Sequence, residues 1–389
     1  MKLSIIILSV FSFWLLNLPV SFWYKDYGIN QSDSNNSIEI SISVVGDLMC
    51  HSPQFQYAKV DADSFNFSPA FRVVKKYLSA SDFTFGNFET VTAGKENNGY
   101  TGYPRFNTPA SYLTALKEAG FDLLVTANNH SLDRSETGIR KTIEQINKRN
   151  LSYTGTYISQ NDRDSIRIFD IKGIKIAFLA YSYGTNGNPI PARKSFLINL
   201  IDYNLIQKDI IKARKSGAEL VLVHYHFGEE YKREPVQFQK DVVNKTIELG
   251  ADLIIGGHPH VLQPVNYFKT KNAKLDTGFV AYSMGNFFSN QQKRYTDAGL
   301  ILTINLKKEF SGNTIKIKSV DYLPTWVYKG NTQKGREYVI LPSQIQPDSS
   351  LYLEKNDSII MKQAFDDTKE IITKYTNKIS LTGNGNDFK

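Results

Sequence analysis

At 389 residues, with 41% hydrophobic and 22% charged residues, the chain has the composition of a folded body and not of a disordered or collagen-like one. Its formal charge of +8 is scattered along the whole length and comes with no aromatic and basic RNA-binding motif, so it reads as a generic basic surface and argues against a nucleic-acid partner. The single cysteine, Cys50, excludes an intramolecular disulfide, so an exported body must be held together by its core.

Lys2 precedes an uncharged run over residues 3–24 that is closed by Lys25. About 20 apolar residues are what a membrane span needs, whereas signal-peptide cores are about 7 to 15. The run is therefore expected to be an uncleaved single-pass signal anchor at the cell membrane, with the body extracytoplasmic. A cleaved signal peptide is the competing reading, favoured by Pro19 and the small Ser21 and weakened by the lack of an A-x-A site. A polar linker over 30–37 follows. Residues 1–37 are thus anchor and linker, 38–330 the main domain, and 331–389 a C-terminal extension with a helix.

The first strand, 38–45, runs into Gly46-Asp47-Leu48-Met49, placing a carboxylate at a strand's C-terminal end, where α/β proteins collect ligands. Asp47 is a candidate metal ligand, and His51 a candidate substrate contact. Residues 71–78 look helical, and a strand over 81–85 leads into Gly86-Asn87-Phe88-Glu89. A Gly-, Asn- and Tyr-rich excursion over 91–108 carries Arg105, a candidate anion contact. The helix 110–119, stopped by Gly120, and the strand 122–126 deliver Asn128-Asn129-His130-Ser131-Leu132-Asp133, followed by a helix over 138–149. Strand 174–180, helix 205–215 and strand 218–223 lead to His224-Tyr225-His226-Phe227-Gly228-Glu229-Glu230. After the helix 236–249, a buried strand at 253–255 ends in Gly256-Gly257, which are expected to turn the chain sharply and present His258-Pro259-His260. Strand 278–283 exits through Gly285 and Asn286, the latter counted with the substrate contacts. From Leu300 the pattern changes to alternating strands such as 314–320 and 322–327, and an amphipathic helix near 358–375 precedes the tail.

All six histidines lie at the ends of expected strands, and none falls on a helix or in the C-terminal third. With Asp47, Glu89, Asn87 and Asn129 at equivalent places, the donor set is imidazole, carboxylate and amide oxygen, suited to Mn, Zn or Fe. So many groups from separated segments point to an open site for one or two divalent ions and not to a closed structural one. His130 or His260 would serve as the general acid. In the HYHFG segment His224 and His226 share a face if the strand continues; the later one is better placed to reach the site, and Gly228 permits the turn that would aim it.

The ordered set GDLM (46–49), GNFE (86–89), ANNHSLD (127–133), HFGEEY (226–231), GGHPHVLQP (256–264) and YSMGNFF (282–288) resembles the CapA family, bacterial capsule-synthesis proteins of the poly-gamma-glutamate type. Their fold is similar to calcineurin-like metallophosphatases. The resemblance covers about 40–327 and implies a four-layer α/β/β/α sandwich with a small C-terminal strand and helix addition. It also implies a membrane-anchored body and a part in synthesis or export of the anionic polymer poly-gamma-glutamate, in company with membrane-bound synthase components. Onto the metallophosphatase pattern it places Asp47 as the first-motif aspartate, Glu89 as the bridging acid, Asn129 and His130 as the Asn-His motif, His224 or His226 as the fourth motif, and His258 and His260 as the last. The chain departs from that pattern at Met49, where a histidine is usual, and at Ser131, where an acid often follows the Asn-His pair. Two function classes follow: a role in polymer assembly, and a metal-dependent hydrolase of phosphoesters or gamma-glutamyl bonds.

Overall fold

The computed structural model describes residues 37–333, 335–344 and 351–382; the expected anchor over 3–24 lies outside them. Among the described residues no helix is long and apolar enough to cross a membrane. The chain builds two sheets in three passes. It starts the first with β1 (Ser37–Leu48), β2 (Phe83–Asn87), β3 (Leu123–Val125) and β4 (Ser152–Thr154). It then lays down the whole second sheet as β5 (Arg167–Ile171), β6 (Ile174–Ser182), β7 (Leu220–His226), β8 (Leu253–Gly257), β9 (Val265–Asn272) and β10 (Leu275–Ala281). Finally it returns to the first with β11 (Asn286–Phe288), β12 (Ala298–Glu309), β13 (Thr314–Thr332), β14 (Gly335–Pro342) and β15 (Ser380–Leu381). The first sheet has the order β14-β13-β12-β1-β2-β3-β4, with β11 beside β1 and β15 beside β13; the second has the order β5-β6-β7-β8-β10-β9.

Alternation along each strand sorts side chains between two faces. Ile42 and Val44 of β1, Phe83 and Phe85 of β2, Ile176 and Phe178 of β6 and Leu220 and Leu222 of β7 meet in one apolar cluster between the sheets. The alternate positions of each strand face outward. Val45 and Leu124 pack with the helices Ser111–Ala119 and Ser135–Asn147, through Leu113, Leu116, Ile139 and Ile143. Val221, Val223 and Ile254 pack with the helices Tyr203–Lys215 and Gln237–Leu249, through Ile206, Ile210, Val242 and Val243. Full burial of one such side chain contributes roughly 1.5–3 kcal/mol, so dozens of them hold the body without help from any bound ion. The mixed α/β class expected from the sequence is the one adopted. Cys50 is buried in the cluster under the first two of these helices, and burial pushes its thiol up.

Three elements differ from the sequence expectation. The helix expected over 71–78 is two single turns, Ser68–Phe71 and Lys75–Leu78. The two strands expected after Thr314 are one, because β13 keeps its pairing with β12 through Asp321 and Pro324. The C-terminal helix, Lys355–Ile372, starts earlier than expected and packs Met361 and Ala364 on Trp326 and Tyr328 of β13.

Candidate metal centre

The cluster between the sheets turns polar at the C-terminal ends of its strands. On β7 the same inward face that carries Leu220 and Leu222 continues as His224 and His226, so period-two alternation aims both imidazoles at the opposite sheet. Asp47 reaches that space by another device. Simple alternation would send it outward with Val45, but the β1–β2 register slips between Val45 and Asp47, a bulge that re-aims the carboxylate. A Cβ at Gly46 would run into the Gly285 carbonyl, so only glycine lets β11 close over this bulge.

The two glycines before His258 act differently from the expectation. Gly256 and Gly257 belong to β8 and do not turn the chain. Gly257 leaves room for a neighbour, since a Cβ there would lie 2.7 Å from Asp47 Oδ1. The turn is made by the histidines themselves, His258 with φ +98° and His260 with φ +58°. Positive φ at residues other than glycine costs free energy, and such positions gather at functional sites.

The buried side chains then converge. Glu89 Oε1 lies 3.6 Å from His226 Nε2 and 3.8 Å from His260 Nε2. Two overlapping groups share this carboxylate: Glu89 with His226 and His258, and Glu89 with Asp47 and His260. In each, one ligand atom per residue lies within 4.8 Å of the others. A third group joins His258 and His260 to the exposed Glu230. Asn129 Oδ1 accepts from His226 Nε2 at 3.0 Å, at the edge of the first group. His224 stands one residue pair deeper on β7 and belongs to none of the three groups.

Asn87 ties the two sheets together, donating from Nδ2 to Asp47 Oδ1 at 2.7 Å and to His226 Nδ1 at 3.1 Å. Asn128 in turn donates to Asn87 Oδ1 and to the Phe88 carbonyl. Asn286 does not stand as a free substrate contact: its Oδ1 lies 3.1 Å from His260 Nδ1, and its Nδ2 donates to Thr296 O and Gln291 Oε1. With Asp47 Oδ2 3.2 Å from the same nitrogen, His260 is oriented through Nδ1 and turns Nε2 toward Glu89.

His130 stands outside the three groups. Its Nδ1 donates to Asp133 Oδ2 at 2.8 Å, and Asp133 also accepts the Phe106 N–H at 2.7 Å. The acid partner of the Asn-His pair is therefore supplied three residues after His130 and not at Ser131. His51 caps the short helix Ser52–Tyr57, lies against the Phe106 ring and accepts the Asn290 N–H at 3.4 Å. Arg105 is exposed and donates to Asn188 Oδ1 at 3.2 Å.

Burial decides the charge states. It pushes the His258 imidazole down to about 3, the His224 imidazole to about 4 and that of His226 well below the usual value. These imidazoles are neutral, the form that binds a metal. Burial, with Asp47 and Glu230 nearby, raises the Glu89 carboxyl well above its usual range. The same burial would raise Asp47, but contacts with His260, with Asn87 and with the His258 N–H hold it below the usual carboxylate value. Among the described residues Glu89 Oε1, His224 Nδ1 and His258 Nδ1 are buried with no hydrogen-bond partner. Orphaned buried acceptors of this kind are costly, and a cation in their midst would satisfy them, so the donor set fits a divalent ion.

Sequence reasoning missed Asp133, Asn128, Glu230 and Tyr183, whose ring lies 4.6 Å from that of His258. Only Asp133 left a signal, an acid one helical turn after His130. The family model described as bacterial capsule synthesis protein PGA_cap matches residues 41–291. The PGA biosynthesis protein CapA of Bacillus subtilis (strain 168) is 30% identical over 275 residues, covering 70% of this chain and 69% of that protein. The capsule biosynthesis protein CapA of Bacillus anthracis is 27% identical over 340 residues, covering 83% and 78%. Among solved structures, the calcineurin-like phosphoesterase YfkN of Bacillus subtilis aligns with TM-score 0.42 and 13% identity, over 86% of this chain and 98% of that one. The NAD nucleotidase of Haemophilus influenzae aligns with TM-score 0.46 and 14% identity over 89% of this chain, which spans 57% of the nucleotidase. The chain belongs to the bacterial capsule synthesis family PGA_cap.

Proposed function

We propose that the chain is a CapA-type protein of poly-gamma-glutamate capsule biosynthesis that hydrolyses gamma-glutamyl bonds at a centre of one or two divalent ions. Its site stands outside the cytoplasmic membrane, anchored by residues 3–24 and working beside the membrane-bound synthase components. The observation that carries this reading is the position of Glu89 between two half-sites, Asp47 with His260 and His226 with His258. Bound there, divalent ions supply Lewis acidity toward a carbonyl or phosphoryl oxygen. The chain's own residues do the rest. Asn286 and Asp47 fix the His260 tautomer, Asn87 orients His226, and Asp133 accepts from His130 Nδ1–H, so that His130 Nε2, once it has taken up a proton, can pass it to a leaving amine. Tyr183 covers His226 and His258 and limits access of water to them.

The test is the metal content of the purified chain together with hydrolysis of gamma-glutamyl peptides and of generic phosphoesters. Bound Mn, Zn or Fe with gamma-glutamyl cleavage supports the reading. Cleavage of phosphoesters alone would move the function to the phosphatase alternative, and failure to bind any divalent ion would remove the catalytic role. Placement is tested separately: a soluble form whose N-terminus begins after Ser21 would overturn the anchor.

A further inference from the structure

Beside the metal centre, the segment 97–105, Ser52 and the start of the helix Ser135–Asn147 enclose an open cleft of about 710 Å³. Its lining includes Tyr100, Thr101, Tyr103, Arg105, Asp133 and Arg134. Two contacts join it to the site: Asp133 holds His130 Nδ1, and the Tyr103 ring lies 6.5 Å from that of His130.

The cleft carries two guanidiniums whose hydrogen-bond partners among the described residues are all neutral oxygens. Arg134 donates from Nε to Asn97 O at 3.2 Å, from Nη1 to Asp133 O at 3.1 Å and from Nη2 to Thr101 Oγ1 at 2.6 Å. A guanidinium has five N–H donors, so Arg134 is fixed in place by three and keeps two for a ligand. Arg105 gives one, to Asn188 Oδ1, and keeps four. The one carboxylate in the lining, Asp133, is buried and already accepts from His130 and Phe106. Burial lowers the Arg134 guanidinium from its usual value, Asp133 opposing and Arg105 adding to the effect, so two like charges face one space. Fixed, like-charged donors with unused N–H groups are what an anionic oxygen pair would satisfy bidentately.

We propose that this cleft is a subsite for a free carboxylate of a poly-gamma-glutamate chain, gripped by Arg105 and Arg134 so that the adjoining amide is directed toward His130. The proposal rests on the polymer reading of the function. In a gamma-linked chain each residue keeps a free α-carboxylate on the carbon bonded to its amide nitrogen, so fixing the carboxylate fixes the scissile bond within two or three bonds of it. The Tyr100 and Tyr103 rings supply apolar wall for the two methylenes between successive groups, a feature that a bare phosphate ester chain would not use.

The experiment titrates the full chain, stripped of metal, with fluorescein-labelled oligo-gamma-glutamate and reads anisotropy. Loss of one charge-assisted contact should weaken binding about tenfold in Arg105→Ala, with Arg105→Lys intermediate. Arg134 also braces Thr101, so Arg134→Lys is used there, with thermal unfolding as the control for loop damage; it should weaken binding without lowering Tm. Wild-type affinity in Arg105→Ala would overturn the subsite while leaving the polymer reading intact. Equal competition by a polyphosphate of the same charge would overturn the carboxylate assignment. Failure of the wild-type chain to bind any oligo-gamma-glutamate while still binding metal would instead defeat the polymer reading on which the subsite rests.

Discussion

The two sheets bring different chemistry to the same seam. The nine-stranded sheet supplies the oxygens, from Asp47, Asn87, Glu89, Asn128, Asn129 and Asn286, with His51 and His130 behind them. The six-stranded sheet supplies the imidazoles of His224, His226, His258 and His260, with Glu230 at the mouth. Either sheet alone offers a partial donor set. The lesson is that the fold's main interface and its reactive site are one surface: apolar in the middle, where it is held together, and polar at the strand ends, where it works. Changes in the shared polar edge should therefore remove ions and leave the body folded.

Glu89→Gln tests this most severely, because both half-sites use that carboxylate. The amide keeps the shape and removes the charge, so bound metal per chain should fall toward zero while the far-ultraviolet circular dichroism is unchanged. Retention of a full metal complement would show that Glu89 is not shared. The next largest effect contrasts neighbours on one strand. His226→Ala removes a side chain that lies in a half-site, and metal affinity should drop more than about 100-fold; His224→Ala removes a deeper one, with an effect of about tenfold or less. A larger loss in the His224 variant would reverse the assignment.

Much of this division was legible in the sequence. Apolar runs ending in Gly-Asp, Gly-Asn and His-x-His marked strand ends, and alternation alone put His224 and His226 on one face. What stayed hidden depends on register and distance. No local pattern says that a bulge after Val45 turns Asp47 inward, that Gly257 is small because a carboxylate from a strand 210 residues earlier needs its space, or that Asp133 and not Ser131 partners His130. The expected strands 314–320 and 322–327 part at Asp321, whereas pairing of Asp321 with Thr303 of β12 carries one long β13 through that position.

Gly257 gives a sharper and smaller test of the seam. In Gly257→Ala the new methyl would sit 2.7 Å from Asp47 Oδ1 and 3.6 Å from the His224 ring, at a position where pairing with His226 of β7 and the Phe227 N–H to Gly257 O bond hold the backbone. Overpacking of this kind costs about 1–3 kcal/mol. Asp47 should be displaced, weakening the ion held with His260 by about tenfold while sparing the one held with His226 and His258. Equal weakening of both ions in a metal titration would mean that the half-sites are not separable.

The smallest expected effect is on the metal-free chain, where the two sheets oppose each other in acid. His258 and His224, from the six-stranded sheet, are held neutral by burial, at about 3 and about 4 against 6.5 for an unperturbed imidazole. Between those values the unfolded chain binds more protons than the folded one, so these residues make stability fall as pH drops below 6.5. Glu89, from the nine-stranded sheet, is raised well above 4.5, so in the window above 4.5 the folded chain binds the extra proton and stability falls as pH rises. The two slopes cancel in part. Removing the opposing carboxylate should expose the imidazole slope: in Glu89→Gln, Tm should drop by a few degrees more between pH 6.5 and pH 5 than in the unmodified chain. Adding His258→Gln should flatten that curve again. An identical pH dependence of Tm in the single variant and the parent would mean that Glu89 carries no extra proton in the folded state, and that the oxygen side of the seam is charged even without an ion.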